Sequence, residues 1–133
     1  MSTAQDVLVT YGLLALLYGL ILGIPLARAR MNAPAASRHL VTTHVSALMQ
    51  GPLHLGVAFA LGAVAFDSTL AVVAAALLVA GSALELGGGT VNWLLATGDQ
   101  FAERSPGFLL NSLTGPLAIP GLALLAYGVV TRL

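Results

Sequence analysis

The sequence predicts an all-α protein, an integral-membrane bundle of four transmembrane helices, and three observations carry that reading. Hydrophobic residues make up 58% of the 133 and charged residues only 8%, against about 25% charged in an ordinary soluble domain. A chain with so few charges cannot clothe a water-facing surface, so a lipid bilayer is its expected surrounding. The apolar residues also gather into stretches near the roughly 20 helical residues that cross a bilayer core of about 30 Å. Finally, a backbone in lipid must satisfy its own hydrogen bonds, which makes each of these stretches a helix. The length suits a single domain over residues 1–133.

The first span runs from about Val7 to Ala27. No basic flank precedes it and no small-residue cleavage site follows, so it reads as a retained helix and not a signal peptide. The second runs from about His39 to Phe66, long enough to tilt or to project a turn into the headgroups. The third covers about Leu70 to Ala96 and the fourth about Phe108 to Val130. "RARMNAPAASR" joins the first two, and "TGDQFAERSPG" precedes the fourth. The dipeptide "DS" at 67–68 forces the second and third into an antiparallel hairpin. Arg28, Arg30 and Arg38 lie in the first connection and Arg104 in the third, whereas the opposite side has only Arg132. Arg-rich loops stay cytoplasmic, so connections one and three are expected inside and both termini outside.

Glycines recur within the spans: Gly12, Gly19 and Gly23 in the first, Gly51, Gly56 and Gly62 in the second, Gly81 and Gly87-Gly88-Gly89 in the third. Small residues mark close helix contact in lipid. The triple glycine is denser than packing needs and leaves a groove where a flat ligand or a neighbouring backbone can lie.

Ionisable groups inside a membrane are costly and point to function. The stretch "HVSALMQGPLH" at 44–54 concentrates them. His39, beside Arg38, reads as a solvated helix end. His44 lies one to two turns deeper. It is either an available metal or haem ligand in its neutral form or a hydrogen-bonded packing histidine. Gln50 lies six residues on, about 9 Å along the helix and roughly 120° around it. The two therefore cannot meet one small ligand atom. They can touch a large planar ligand at two points, or serve a site completed by another chain. His54 is four residues from Gln50 and placed to bond it. Pro52 lacks the amide that would reach the Leu48 carbonyl and is expected to kink the helix. In the third span, Glu85 and Asn92 are seven apart on nearly one face, with Gly88 and Gly89 between them. Trp93 suits an interfacial anchor. Asp67, Asp99 and Glu103 read as solvated, and Asn111 and Ser112 as caps of the fourth helix.

Several chemistries are excluded. The absence of Cys removes disulfides, thiolate catalysis and iron–sulfur ligation. A net charge of zero gives no reason to expect nucleic acid. No nucleophile–base pair and no strongly spaced metal motif appears. The triple glycine follows no strand, so it is not a dinucleotide fingerprint.

These residues carry a resemblance. "HVSALMQG" at 44–51 resembles the His, five residues, carboxamide-Gly pattern in the second helix of the membrane-bound hydroxylaminobenzene mutases, and a related pattern in the styrene oxide isomerases. "RMNAPAASRHL" resembles the mutases' Asn/Pro-rich connection, and "VNWLLA" at 91–96 an Asn-Trp-Leu in their third helix. The likeness covers all four spans in length and order. It implies a homotrimer in the bacterial inner membrane that holds ferric haem b at the subunit interface, and an isomerase acting on a small aromatic substrate. In the isomerases the iron is a Lewis acid that opens an epoxide to an aldehyde. The mutases move a hydroxyl from nitrogen to the ortho ring carbon, turning an arylhydroxylamine into an aminophenol.

Carried over, the resemblance makes His44 the axial haem ligand and Gln50 the carboxamide that orients the substrate. It has Asn92 either line the pocket or hold the haem, and Gly88, Gly89 and Trp93 are expected against the cofactor. Gln50 stands where both groups have Asn. The tyrosine that the isomerases place a turn beyond the third-helix Asn has no counterpart in Leu95-Ala96, which favours the mutase reaction over the epoxide one. Glu85 belongs to neither pattern. Two other classes compete. A small multidrug-type exporter also has four helices and a buried carboxylate, but keeps it in the first helix. A b-type electron carrier needs two His ligands, and all three histidines lie on one helix.

Overall fold

The structure, a computed structural model, describes residues 1–133 and contains only helices: α1 (Thr3–Asn32), α2 (Arg38–Ala63), α3 (Thr69–Leu94), α4 (Gln100–Glu103), α5 (Pro106–Ser112) and α6 (Thr114–Val130). Four helical runs are long and apolar enough to cross a membrane: α1, α2, α3 and the 25 residues from Pro106 to Val130. That is the all-α, four-helix architecture expected, and it is consistent with a multi-pass membrane protein. Leu13, Leu17, Leu20, Ile21 and Ile24 of α1 are exposed, as a lipid-facing surface requires.

The helix ends differ from the expected spans for local reasons. α1 starts at Thr3 because Ser2 and Gln5 form a reciprocal capping box. α2 stops at Ala63, three residues before the expected Phe66. Ala65 then turns the chain in a left-handed conformation, φ 50°. Phe66 folds back as a buried residue, its ring against Gly128. α3 ends at Leu94, ahead of another left-handed alanine, Ala96. Asp99 and Glu103 are not merely solvated. Asp99 caps α4, and the Glu103 carboxylate accepts from the Gly98 and Asp99 amides. The fourth span begins at Pro106, behind a Ser105 cap, and is interrupted at Leu113. Pro116 offers no amide to the Ser112 carbonyl, and the Leu113 amide bonds one residue short, to Leu110. Pro52, in contrast, does not interrupt α2, which stays helical through Ala63.

Glycine sets the helix separations. A methyl on either Gly12 or Gly51 would stand 3.0 Å from the other's carbonyl oxygen, so α1 and α2 touch backbone to backbone there. Gly121 of α6 meets α3 likewise, with the Leu78 amide nitrogen 2.6 Å from where its Cβ would be. α3 contacts α1, α2, α5 and α6 and is the central element. The apolar core lies at the end of the bundle holding the chain termini and the α2–α3 turn, around Leu8, Leu61, Leu78 and Leu125. Towards the opposite end the interior becomes polar.

Candidate functional site

At mid-bundle one hydrogen-bonded chain joins three helices. The Tyr11 hydroxyl of α1 donates to Gln50 Oε1 of α2 at 2.7 Å. Gln50 Nε2 donates to Glu85 Oε2 of α3 at 3.0 Å, and the Ser46 hydroxyl donates to the other Glu85 oxygen at 2.9 Å. Ser46 and Gln50 are four residues apart and share a face of α2, which is why both reach the same carboxyl. His54 does not take the Gln50 side chain. Its Nδ1 donates to the Gln50 backbone oxygen at 2.7 Å. The buried His54 ring lies 4.6 Å from the Tyr11 ring, and its Nε2 has no partner.

His44 lies outside this chain. Its Nδ1 donates to the Gly19 carbonyl of α1 at 2.8 Å, which fixes the tautomer with the lone pair on Nε2. That nitrogen has no partner in the protein, and the half-buried ring leaves it accessible. A Cβ added at Gly23 would stand 3.5 Å from His44 Cε1, an ordinary contact, so the ring sits over open backbone. His44 and Gln50 thus face different neighbours, as their angular separation on α2 requires.

The remaining candidates lie nearer the loop end. Asn92 is fully buried and has both ends of its amide engaged. Nδ2 donates to Gln100 Oε1 at 2.7 Å, and Oδ1 accepts from the Ser105 hydroxyl at 2.6 Å. It fastens the α4–α5 connector to α3, and Asn111 reinforces it by donating to the same Gln100 oxygen at 3.2 Å. Asn111 therefore braces the connector and does not cap a helix. Of the two occupants expected over the triple glycine, a flat ligand or a neighbouring backbone, the chain itself supplies the second at Gly88. Asn111 and the Gly107 backbone lie against Gly88, and Thr43 lies against Gly89, while only Gly87 faces open space. Trp93 is half-buried, one residue from the end of α3.

Two cavities flank the polar chain. One, of about 480 Å³, opens at the loop end and is lined by Thr43, Ser46, Glu85, Asp99, Asn111 and Thr114 among others. The second, of about 420 Å³, is a shallow apolar hollow lined by Val7, Tyr11, Leu14 and Val79, with Asp6 and Thr10. Glu85 lines the first and Tyr11 the second, so the Tyr11–Gln50–Glu85 chain bridges them. No three His, Cys, Asp or Glu side chains come together as a metal cage. No protein-family model matches this chain, and no curated protein or solved structure matches it either.

Sequence reasoning missed Tyr11, Tyr18, Ser46 and Gln100. Tyr11 and Tyr18 are seven apart, each followed by a glycine that admits α2. Tyr18 pairs with Thr90 at 2.5 Å. Polar-tipped aromatics at that spacing in an aliphatic helix are a usable signal. Ser46 was readable as the residue one turn before Gln50.

Proposed function

We propose that this chain is a haem b-dependent membrane isomerase that rearranges an arylhydroxylamine to an aminophenol. The observation that carries the proposal is the His44 geometry. An Nδ1–H bond to a backbone carbonyl is the usual way in which a ligating imidazole is oriented and its other nitrogen kept free. Here the free Nε2 is accessible on the side of α2 next to α1. When bound, a ferric haem would supply a Lewis acid with an open position, suited to heterolysis of an N–O or C–O bond. His44 would hold it, the Gly19 carbonyl would fix the ring, and Gly23 would leave the ring room. An apolar flank excludes water from a cation-like rearrangement, and the exposed Leu20 and Ile24 beside Gly23 provide one.

The site of one chain is incomplete. Gly19 is eight residues, about 12 Å, along α1 from Tyr11, so Gln50 and Tyr11 do not converge on His44 within the chain. A lipid-facing cofactor on α1 and α2 would be covered by a second copy. That arrangement supports a homo-oligomer, a trimer by the resemblance, in the inner membrane with connections one and three cytoplasmic. Gln50 would hold the Tyr11 hydroxyl at the apolar hollow, where an aryl ring fits.

The test is the absorption spectrum of the detergent-purified protein. A Soret band is expected, displaced or lost in His44→Ala, with aminophenol formed from hydroxylaminobenzene. Aldehyde from styrene oxide in place of aminophenol would move the assignment to the epoxide reaction. Colourless protein that cannot be loaded with haemin would overturn the proposal. A six-coordinate, low-spin resting spectrum would favour electron transfer.

A further inference from the structure

The cavity at the loop end is chemically unlike the rest of the bundle. Its volume of about 480 Å³ falls within the range of small-molecule sites. Only one of its 13 lining residues, Phe101, is hydrophobic. Two depth markers show how far it reaches. Ser46 is eight residues into α2, and Glu85 is nine residues before the end of α3. Both lie about 12–14 Å along their helices, near the middle of a hydrocarbon layer about 30 Å thick.

The wall is rich in acceptors and poor in charge complement. Glu85 receives hydrogen bonds from neutral donors alone, one per oxygen, from Ser46 and Gln50. A carboxylate offers about four lone-pair sites, so acceptor capacity remains. Four buried side-chain polar atoms in the protein lack a partner. Three of them, His39 Nε2, Asn111 Oδ1 and Thr114 Oγ1, belong to residues lining this cavity. The Thr43 and Ser46 hydroxyls have donated their protons, to the His39 carbonyl and to Glu85, and keep free lone pairs. The lining cation, Arg38, is the first residue of α2, at the outer rim. No arginine lies at the depth of Glu85.

We propose that this cavity binds a compact organic cation with several N–H donors, such as an alkylammonium or guanidinium ion, which enters from the loop end and pairs with Glu85. Such an ion brings the one full positive charge at that depth, and its N–H groups meet the acceptor capacity that Ser46 and Gln50 leave on Glu85. Gly88 and Gly89 have a part in this site. Their missing side chains let Asn111 and Thr43 stand against α3 and form the wall.

The experiment is titration calorimetry on the full chain in detergent, with ethylammonium and guanidinium at non-denaturing concentrations. Sodium chloride and the neutral analogues propanol and urea serve as controls. Saturable binding is expected for the two organic cations and not for the neutral analogues. It should weaken at least about tenfold in Glu85→Gln, as removal of one partner of a buried charge pair does. Glutamine keeps one oxygen for Ser46 or Gln50. A second readout, on wild-type protein, guards against misfolding of that variant. A hydrophobic carbodiimide should modify Glu85, as read by mass spectrometry, and ethylammonium but not sodium should slow it. Unchanged labelling rates, equal binding of urea and guanidinium, or undiminished binding in a folded Glu85→Gln would each overturn the proposal. Neither readout depends on haem, so each stands apart from the fate of the His44 reading.

Discussion

Gln50→Met tests whether the mid-bundle chain holds the helices together. Methionine keeps the length of the side chain and removes both of its interhelical bonds, the 2.7 Å bond from Tyr11 and the 3.0 Å bond to Glu85. Interhelical side-chain bonds in membrane proteins average about 0.6 kcal/mol and reach about 1.7 kcal/mol. Two of them set the expected loss at about 1–3 kcal/mol. Tyr11→Phe removes the first bond alone and should cost about 1 kcal/mol. The two variants share that bond, so the double variant should fall short of their sum by about 0.6–1.7 kcal/mol. The His54 bond to the Gln50 backbone persists in all of them, so only side-chain chemistry changes. Reversible unfolding in mixed detergent micelles, followed by circular dichroism, measures each corner of the cycle. Additivity within about 0.3–0.5 kcal/mol would refute the reasoning, because an uncoupled pair shares no bond worth the name.

Three further perturbations separate packing from polarity. In Gly121→Val the new Cβ would lie 2.6 Å from the Leu78 amide nitrogen and 2.7 Å from the Ala74 carbonyl oxygen. Backbone cannot yield there, so α6 should separate from α3 with a loss of about 1–3 kcal/mol or more, seen as a lower unfolding midpoint. Gly87→Ala, with nothing within 4 Å, should stay within about 1 kcal/mol of wild type. Asn92→Ala strips partners from Gln100 and Ser105 and should cost about 1–3 kcal/mol. Its effect should be local, with faster hydrogen exchange across α4 and α5 while α1 and α2 stay protected.

The architecture was legible in the sequence because lipid leaves a backbone so few choices: four apolar stretches, too few charges, short connections. The ends were less legible. Ala65 and Ala96 reverse the chain in left-handed conformations, and alanine carries no turn signal. The break at Leu113 had a sequence cause in Pro116, but Pro52, the same residue type mid-helix, interrupts nothing. For the site, angular arithmetic on α2 separated His44 from Gln50, and the structure gives them different partners. It could not say which helix each would face. The Gly19 carbonyl that orients His44 and the Tyr11 hydroxyl that holds Gln50 both lie on α1, far off in sequence. The triple glycine left its occupant open, ligand or neighbouring backbone, for the same reason. A small-residue patch looks identical in sequence whether it receives a ligand or a neighbouring helix, and here Asn111, Thr43 and the α5 backbone fill Gly88 and Gly89.

α2 consequently presents two chemistries on two faces. Ser46 and Gln50 are about 40° apart around the helix and address Glu85 in the interior, whereas His44 is about 120–160° from them. The interior face is closed at the apolar end by Leu8, Leu61 and Leu78, so a polar ligand has access to Glu85 only from the loop end. The His44 face meets α1 through Gly19 and Gly23, where an apolar group can enter from lipid. A charged visitor and an oily one would therefore approach opposite sides of a single helix. The element shared between them is the backbone from His44 to Gln50, which is helical although the Leu48 carbonyl within it receives no amide from Pro52. The two proposed sites are separable because they lie on different faces of that segment, His44 bonded to Gly19 and Ser46 and Gln50 to Glu85, so neither ligand would occupy the other's contacts.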